Sequence, residues 1–163
     1  MKKTLKDTKK AIQDLLNVIG ETEGELDDID TIIRKSHEKV AKLEEQVLEI
    51  TSKMREVERK IHKKMNRIAK IKKAIFKADT DRQLKTLEKD YERVTKELKA
   101  LEKEYAKLQE EYEKIVRKEE KLLEEEMMLE ERAAELSEKQ SAKMEKVSKL
   151  ITRLQTKIAN AAA

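Results

Sequence analysis

The stretch Phe-Lys-Ala-Asp-Thr-Asp-Arg-Gln, residues 76–83, separates two runs of apolar heptads that are out of phase. Before it, apolar residues occupy every a position from Leu5 to Ile75. One continuous helix would place the next a residue at Arg82, whereas the pattern resumes at Leu84. This offset matches neither of the insertions, of four or three residues, that a coiled coil absorbs. We therefore expect the chain to fold back here.

The same stretch carries the chemistry of a helix start. Thr80 and Gln83 have the spacing of a capping box, in which each side chain accepts a hydrogen bond from a free backbone N–H. Asp79 and Asp81 suit the positive end of a helix dipole. The sequence thus predicts one elongated coiled-coil domain over residues 1–163, with a first arm at 3–78, a turn at 79–83 and a second arm at 84–160.

The composition favours an all-α coiled coil over a globular domain. Of the 163 residues, 45% are charged and only 2% aromatic, and aromatic side chains normally fill much of a globular core. Regular heptads disfavour disorder, the competing interpretation of so polar a chain. A parallel dimer of continuous helices would stack Lys64 on Lys64 and Glu119 on Glu119, which is costly in a desolvated seam. The expected fold is a long antiparallel two-helix coiled-coil hairpin.

The expected register follows from the turn. In an antiparallel pair the numbers of facing residues have a constant sum, which sets polar Ser36 opposite Glu126 and places Lys64 opposite Leu98. Gly20 and Gly24 fall on the outer face where the heptad phase is unbroken, which predicts a weakened but continuous helix. A bend at the glycines is the alternative.

The sequence contains few residues in arrangements that could support catalysis. Cysteine and glycine-rich phosphate loops are absent, and no serine is expected to have a histidine placed to activate it. His37 and His62 are expected to be solvated surface residues. The run from Glu124 to Glu126 could attract divalent cations only weakly, because adjacent helical residues point in different directions. We expect a non-enzymatic protein with no catalytic, cofactor-binding or metal site.

The N-terminal sequence does not continue as a signal peptide. Lys6, Asp7, Lys9 and Lys10 interrupt it before an apolar stretch forms. No run approaches the roughly 18 apolar residues of a transmembrane helix. A soluble, cytoplasmic protein is expected.

Positive charge is concentrated around the turn. Between Arg59 and Ala78 the sequence has nine basic residues and no acidic one. This pattern suits an acidic protein partner, a merely solvated face, or nucleic acid or an anionic membrane, and apolar Phe76 at an outward position favours the protein partner. The candidate partner-binding residues of this tip are Arg59, Lys63, Arg67, Lys70, Lys73, Phe76, Lys77 and Arg82.

Apolar residues flank the heptad core near the two ends of the chain. Two helices alone need a narrow apolar stripe, whereas three or more bury a wider one. We therefore expect self-association of this base, with an unrelated partner helix or ordinary exposed aliphatics as alternatives. The candidate oligomerisation residues are Leu16, Val18, Ile32, Val116, Leu123, Met144, Ile151 and Ile158.

These features predict a structural or adaptor coiled-coil protein that self-associates through its base and presents a basic tip to a partner. The expected long two-helix arms resemble, in overall shape, those of flagellar and type III secretion export stalk proteins. That resemblance implies an alternative role as a stalk or coupling protein of an ATPase-driven export or motor complex. A nucleic-acid- or membrane-binding scaffold is a weaker alternative.

Overall fold

Two long helices joined by a short turn make up the computed structural model of the protein. The structure describes residues 2–162, and the side chains of residues 5–161. Helix α1 spans Lys2–Lys77 and helix α2 spans Asp81–Ala162, and residues 2–162 contain no strand. The two helices pack against each other, which confirms the all-α helical hairpin. The ends of the predicted domain, Met1 and Ala163, lie outside the described residues.

The capping box at the turn forms with a small variation. The backbone N–H of Gln83 donates to Oγ1 of Thr80 over 3.3 Å, and the backbone N–H of Asp79 donates to Oε1 of Gln83 over 3.2 Å. Gln83 thus reaches the residue before the cap rather than the cap itself. Because Thr80 caps the helix, α2 begins at Asp81, three residues before the expected start of the second arm at Leu84.

The chain divides into two compact units. Residues up to Lys39 and those from Leu122 onward form the first, which we call the terminal unit. Residues Val40 to Lys121, which include the turn, form the second, which we call the turn unit. Each unit contains a segment of α1 and a segment of α2. The organisation as a single domain stays a prediction.

Side-chain contacts show that the helices run antiparallel within each unit. Residues with higher numbers in α1 contact residues with lower numbers in α2. In three of the four pairs the two residue numbers add up to 161 or 163, close to the 162 expected from Ser36 opposite Glu126. The expected register is therefore confirmed. The pairs are Glu25–Arg132 and His37–Glu126 in the terminal unit, and Glu58–Tyr105 and Lys64–Glu97 in the turn unit.

Few apolar side chains are fully covered, because two helices enclose only a narrow seam. Val94, at 1% exposed, is the most completely buried of the core residues. Most other core positions are half-buried. The buried apolar residues are Ile19, Ile29, Leu136 and Val147 in the terminal unit, and Val40, Ile50, Val57, Ile71 and Val94 in the turn unit.

Neither helix, over its described length, has a stretch long and apolar enough to cross a membrane.

Gly20 and Gly24 lie inside uninterrupted helix, as expected. Neither has a positive φ, and a Cβ atom added at either position would meet no atom within 4 Å. Neither a turn nor a close approach therefore requires glycine here.

Replacing Gly20 or Gly24 with alanine should raise the free energy of unfolding by about 1 kcal/mol each, because alanine loses less backbone entropy in a helix. Urea denaturation followed by circular dichroism measures the change. Ala41→Gly, at an exposed position of the same helix, is the matched control and should lower stability by a similar amount. A loss of stability in the alanine variants would mean that the helix must bend at the glycines.

Candidate interaction surfaces

All eight residues predicted for the basic tip are exposed and lie in the turn unit; we call them together the basic tip surface. They are distributed over more than one site. Lys77 and Arg82 line a hollow beside the turn, and the Phe76 side chain is 92% exposed. Arg59 and Lys73 lie outside this hollow and outside the groove described next.

Three of the predicted residues line one side of a groove between the helices, which we call the basic groove. Its volume is about 860 Å³. Each lining residue has another three or four positions away on the same helix, so each helix lines the groove with one face. Lys60, Lys63, Lys64, Asn66, Arg67 and Lys70 come from α1, and Glu97, Ala100, Leu101 and Glu104 from α2.

Sequence reasoning found Lys63, Arg67 and Lys70 but missed the other lining residues. Lys60 could have been found from its spacing to the first two. The contribution of α2 follows from the register, which brings residues near 97–104 opposite residues near 58–65.

Lys64, a core-position lysine expected opposite Leu98, pairs with Glu97 instead of remaining unpaired. Its Nζ lies 2.5 Å from Oε2 of Glu97, and its side chain is 33% exposed. The hydrogen bond from Lys64 lowers the pKa of Glu97 below its ordinary value, and the charges of Lys64, Arg93 and Arg67 act in the same direction against the opposing effect of burial. The basic side chains around Glu97 therefore favour its ionised form.

The Lys64–Glu97 pair should make stability depend on pH in the acid range. Because folding lowers the pKa of Glu97, its carboxylate contributes stability above its ordinary pKa, and this contribution is lost as the pH falls through the lowered value. Glu97→Gln should therefore be less stable than the wild type at pH 7 and equal to it at strongly acid pH, as measured by urea denaturation at each pH.

Glu104→Gln is the matched control, since Glu104 lines the same groove but is exposed; it should leave stability unchanged at both pH values. A deficit of Glu97→Gln that persists unchanged in acid would contradict the ion pair.

A second contact between the helices joins Tyr105 to Glu58. The Tyr105 hydroxyl donates a hydrogen bond to Oε1 of Glu58 over 3.0 Å. This bond, with burial and the negative charge of Glu58 as smaller causes, raises the pKa of Tyr105. This bond joins the two helices within the turn unit.

The terminal unit contains a buried polar layer. Ser36 and Glu126 are 8% and 5% exposed, as the register predicted for a facing pair. Thr22, also buried, donates its hydroxyl hydrogen to the carbonyl of Val18 over 2.9 Å, whereas Oγ of Ser36 and Oε1 of Glu126 have no hydrogen-bond partner.

His37 is a solvated surface residue, as expected, but it also has a neighbour across the seam. Its Nε2 lies 3.0 Å from Oε1 of Glu126, although the pair does not have hydrogen-bond geometry. The reason is that His37 flanks the core one residue beyond Ser36, so its ring reaches across the seam while 65% of the side chain stays exposed.

Glu126→Leu should stabilise the protein at pH 7 by about 1 kcal/mol or more, because it replaces a buried, incompletely paired carboxylate with an apolar side chain of similar size. Thermal and urea denaturation measure the difference. Glu138→Leu, at an exposed position of the same helix, is the control and should change stability by less than about 0.5 kcal/mol. A less stable Glu126→Leu variant would show that the contact with His37 outweighs burial of the charge.

The predicted base residues are not on one surface. Val116 lies in the turn unit and, like Val18, is half-buried. Leu16 is at an e position of α1 and Ile32 at a g position, so they lie on opposite flanks of that helix. Leu16 and Ile32 are 44% and 51% exposed.

Four of the predicted base residues form a line on α2. They are separated by multiples of seven residues, which places them on one flank of a coiled coil. We call them the apolar stripe: Leu123, Met144, Ile151 and Ile158, which are between 40% and 53% exposed.

Within the described residues, no three His, Cys, Asp or Glu side chains are grouped so that they could hold a metal ion.

The fold and its surfaces define a two-helix hairpin of the all-α class. No protein-family model and no curated protein matches the chain. Among solved structures, the chain is similar to the HP0958 protein from Helicobacter pylori, with 23% sequence identity and a TM-score of 0.67. The match covers 96% of this chain and 71% of that chain. This likeness supports the fold.

Proposed function

We propose that this protein is a non-enzymatic structural or adaptor protein of the cytoplasm. It self-associates through the apolar stripe of the terminal unit and presents the basic tip surface of the turn unit to a partner. The observation that carries the proposal is the apolar stripe. Its side chains stay exposed to water because two helices bury only a narrow apolar strip between them.

Burial of the stripe supplies a driving force for association. Full burial of an aliphatic side chain stabilises by roughly 1.5–3 kcal/mol, and each residue of the stripe still exposes 40–53% of its surface. Glu130 and Ser137 interrupt the stripe between Leu123 and Met144, so the uninterrupted part runs from Met144 to Ile158. A second copy that brings two more helices would convert this part into a four-helix arrangement with a wider core.

The basic tip surface suits a partner of opposite charge. Lys63, Arg67 and Lys70 are exposed, and none of them has an ion pair among the described residues. Exposed Phe76 adds an apolar contact of the kind that anchors protein interfaces. Charges without an internal ion pair can attract an acidic surface.

Ile151→Glu combined with Ile158→Glu should abolish self-association at 0.5 M salt, because it places charges in the apolar contact, while helicity is retained. Sedimentation equilibrium gives the mass and circular dichroism the helix content. Leu48→Glu is the matched control, since Leu48 is an aliphatic residue 71% exposed in the turn unit, and it should leave association intact. A wild-type protein that is monomeric at high concentration would refute the proposed role of the stripe.

A further inference from the structure

We propose that the partner of the basic groove is a second copy of this chain, which binds there through an acidic ridge on α2 of its terminal unit. The acidic ridge consists of Leu123, Glu124, Met127, Glu130 and Glu131. This inference rests on the proposed function, because it names the partner of the basic tip surface.

The groove offers cations that the molecule itself does not neutralise. Lys60, Lys63, Arg67 and Lys70 are exposed, and within the described part of the chain none of them forms an ion pair. Lys64 is already bound to Glu97. Four cations are thus available along one wall of the groove.

The groove also offers an apolar contact between its charged walls. Ala100 and Leu101 lie between Glu97 and Glu104 on α2, and the small side chain of Ala100 leaves room for an incoming one. The groove therefore fits a helix that combines carboxylates with aliphatic side chains.

The acidic ridge has this combination. At 100° per residue its five members fall on one face of α2. Leu123 and Met127 are 46% and 63% exposed, and Glu124, Glu130 and Glu131 are exposed without an ion pair among the described residues. The ridge is therefore an aliphatic strip bordered by free carboxylates.

The two surfaces match in extent. From Lys60 to Lys70 the groove follows α1 for about 15 Å, and from Leu123 to Glu131 the ridge covers about 12 Å, at 1.5 Å per residue. Leu123 and Met127 can meet Ala100 and Leu101 while the carboxylates on one flank of the ridge meet the cations of α1.

The charge of the surrounding segments supports the same pairing. Residues 59–99 contain fifteen basic and six acidic residues, whereas residues 21–39 and 122–138 together contain fourteen acidic and four basic ones. The whole chain has a net charge of only +4, so repulsion between copies is weak while attraction between these segments is strong. The lining of the groove includes no aromatic side chain on which nucleic-acid bases could stack, and this favours a protein partner.

The test uses the full chain with Ile151→Glu and Ile158→Glu, so that the apolar stripe no longer contributes. Sedimentation equilibrium at low salt should show weak residual self-association that disappears at 0.5 M salt. Reversing the groove with K63E, R67E and K70E, or the ridge with E124K, E130K and E131K, should weaken this association about tenfold or more.

Two measurements separate a lost contact from a misfolded variant. The two reversed proteins, mixed together, should associate with each other, and a chain that carries all six reversals should regain self-association. The control K85E, K89E and K96E changes the net charge of the turn unit by the same amount outside the groove and should weaken association less.

Two results would overturn the inference. One is residual association that the groove and ridge reversals leave unchanged. The other is a protein that stays monomeric at low salt while it binds a single-stranded DNA oligonucleotide, since the groove would then hold a phosphate polyanion. Failure of the proposed function is seen separately, when the wild type and the Ile151→Glu, Ile158→Glu variant have the same mass at 0.5 M salt.

Discussion

The apolar seam between α1 and α2 is the constraint on which the rest of the structure depends. Its heptads are continuous up to Ile75 and resume out of phase at Leu84, so one straight helix cannot keep both runs on one side. Thr80 and Gln83 cap α2 at this point, and the local hydrogen bonds therefore agree with the hydrophobic pattern. When local chemistry and global packing require the same break, a sequence specifies one fold strongly.

Polar residues in the seam reduce stability but restrict the ways in which the helices can pair. Lys64 is paired with Glu97 from the other helix, and Glu126 lies beside His37 without a hydrogen bond. A shift of one heptad would separate His37 from Glu126 and set that carboxylate opposite Ile29 or Leu43. Single polar core residues select the register of coiled coils in this manner, at a cost in stability.

The hairpin and its register could be predicted because they depend on residue spacing, which the sequence displays directly. Side-chain reach is less visible: His37 and Glu58 were not recognised as partners of α2, since a flanking side chain can extend to solvent or across the seam. The basic groove was found only in part because its second wall belongs to a distant segment. Leu16 and Ile32 were grouped as apolar residues that flank the core, but their e and g positions place them on opposite flanks of α1.

The two proposed contacts, through the apolar stripe and between groove and ridge, differ in their physical basis. They should therefore respond differently to salt. Burial of the apolar stripe does not weaken as ionic strength rises, whereas attraction between exposed charges is largely screened beyond about 8 Å at physiological salt. In the proposed assembly, the apolar stripe would hold the terminal units of two copies together at any ionic strength, while salt would adjust the contact between groove and ridge. Segregating the charges, rather than balancing them locally with ion pairs along each helix, leaves them free for this contact. The few exposed ion pairs within the described helices, such as Arg34–Asp30 and Lys149–Glu145, contribute little to stability. Ion pairs within the helices therefore do not account for the charge pattern, and this supports the proposed association.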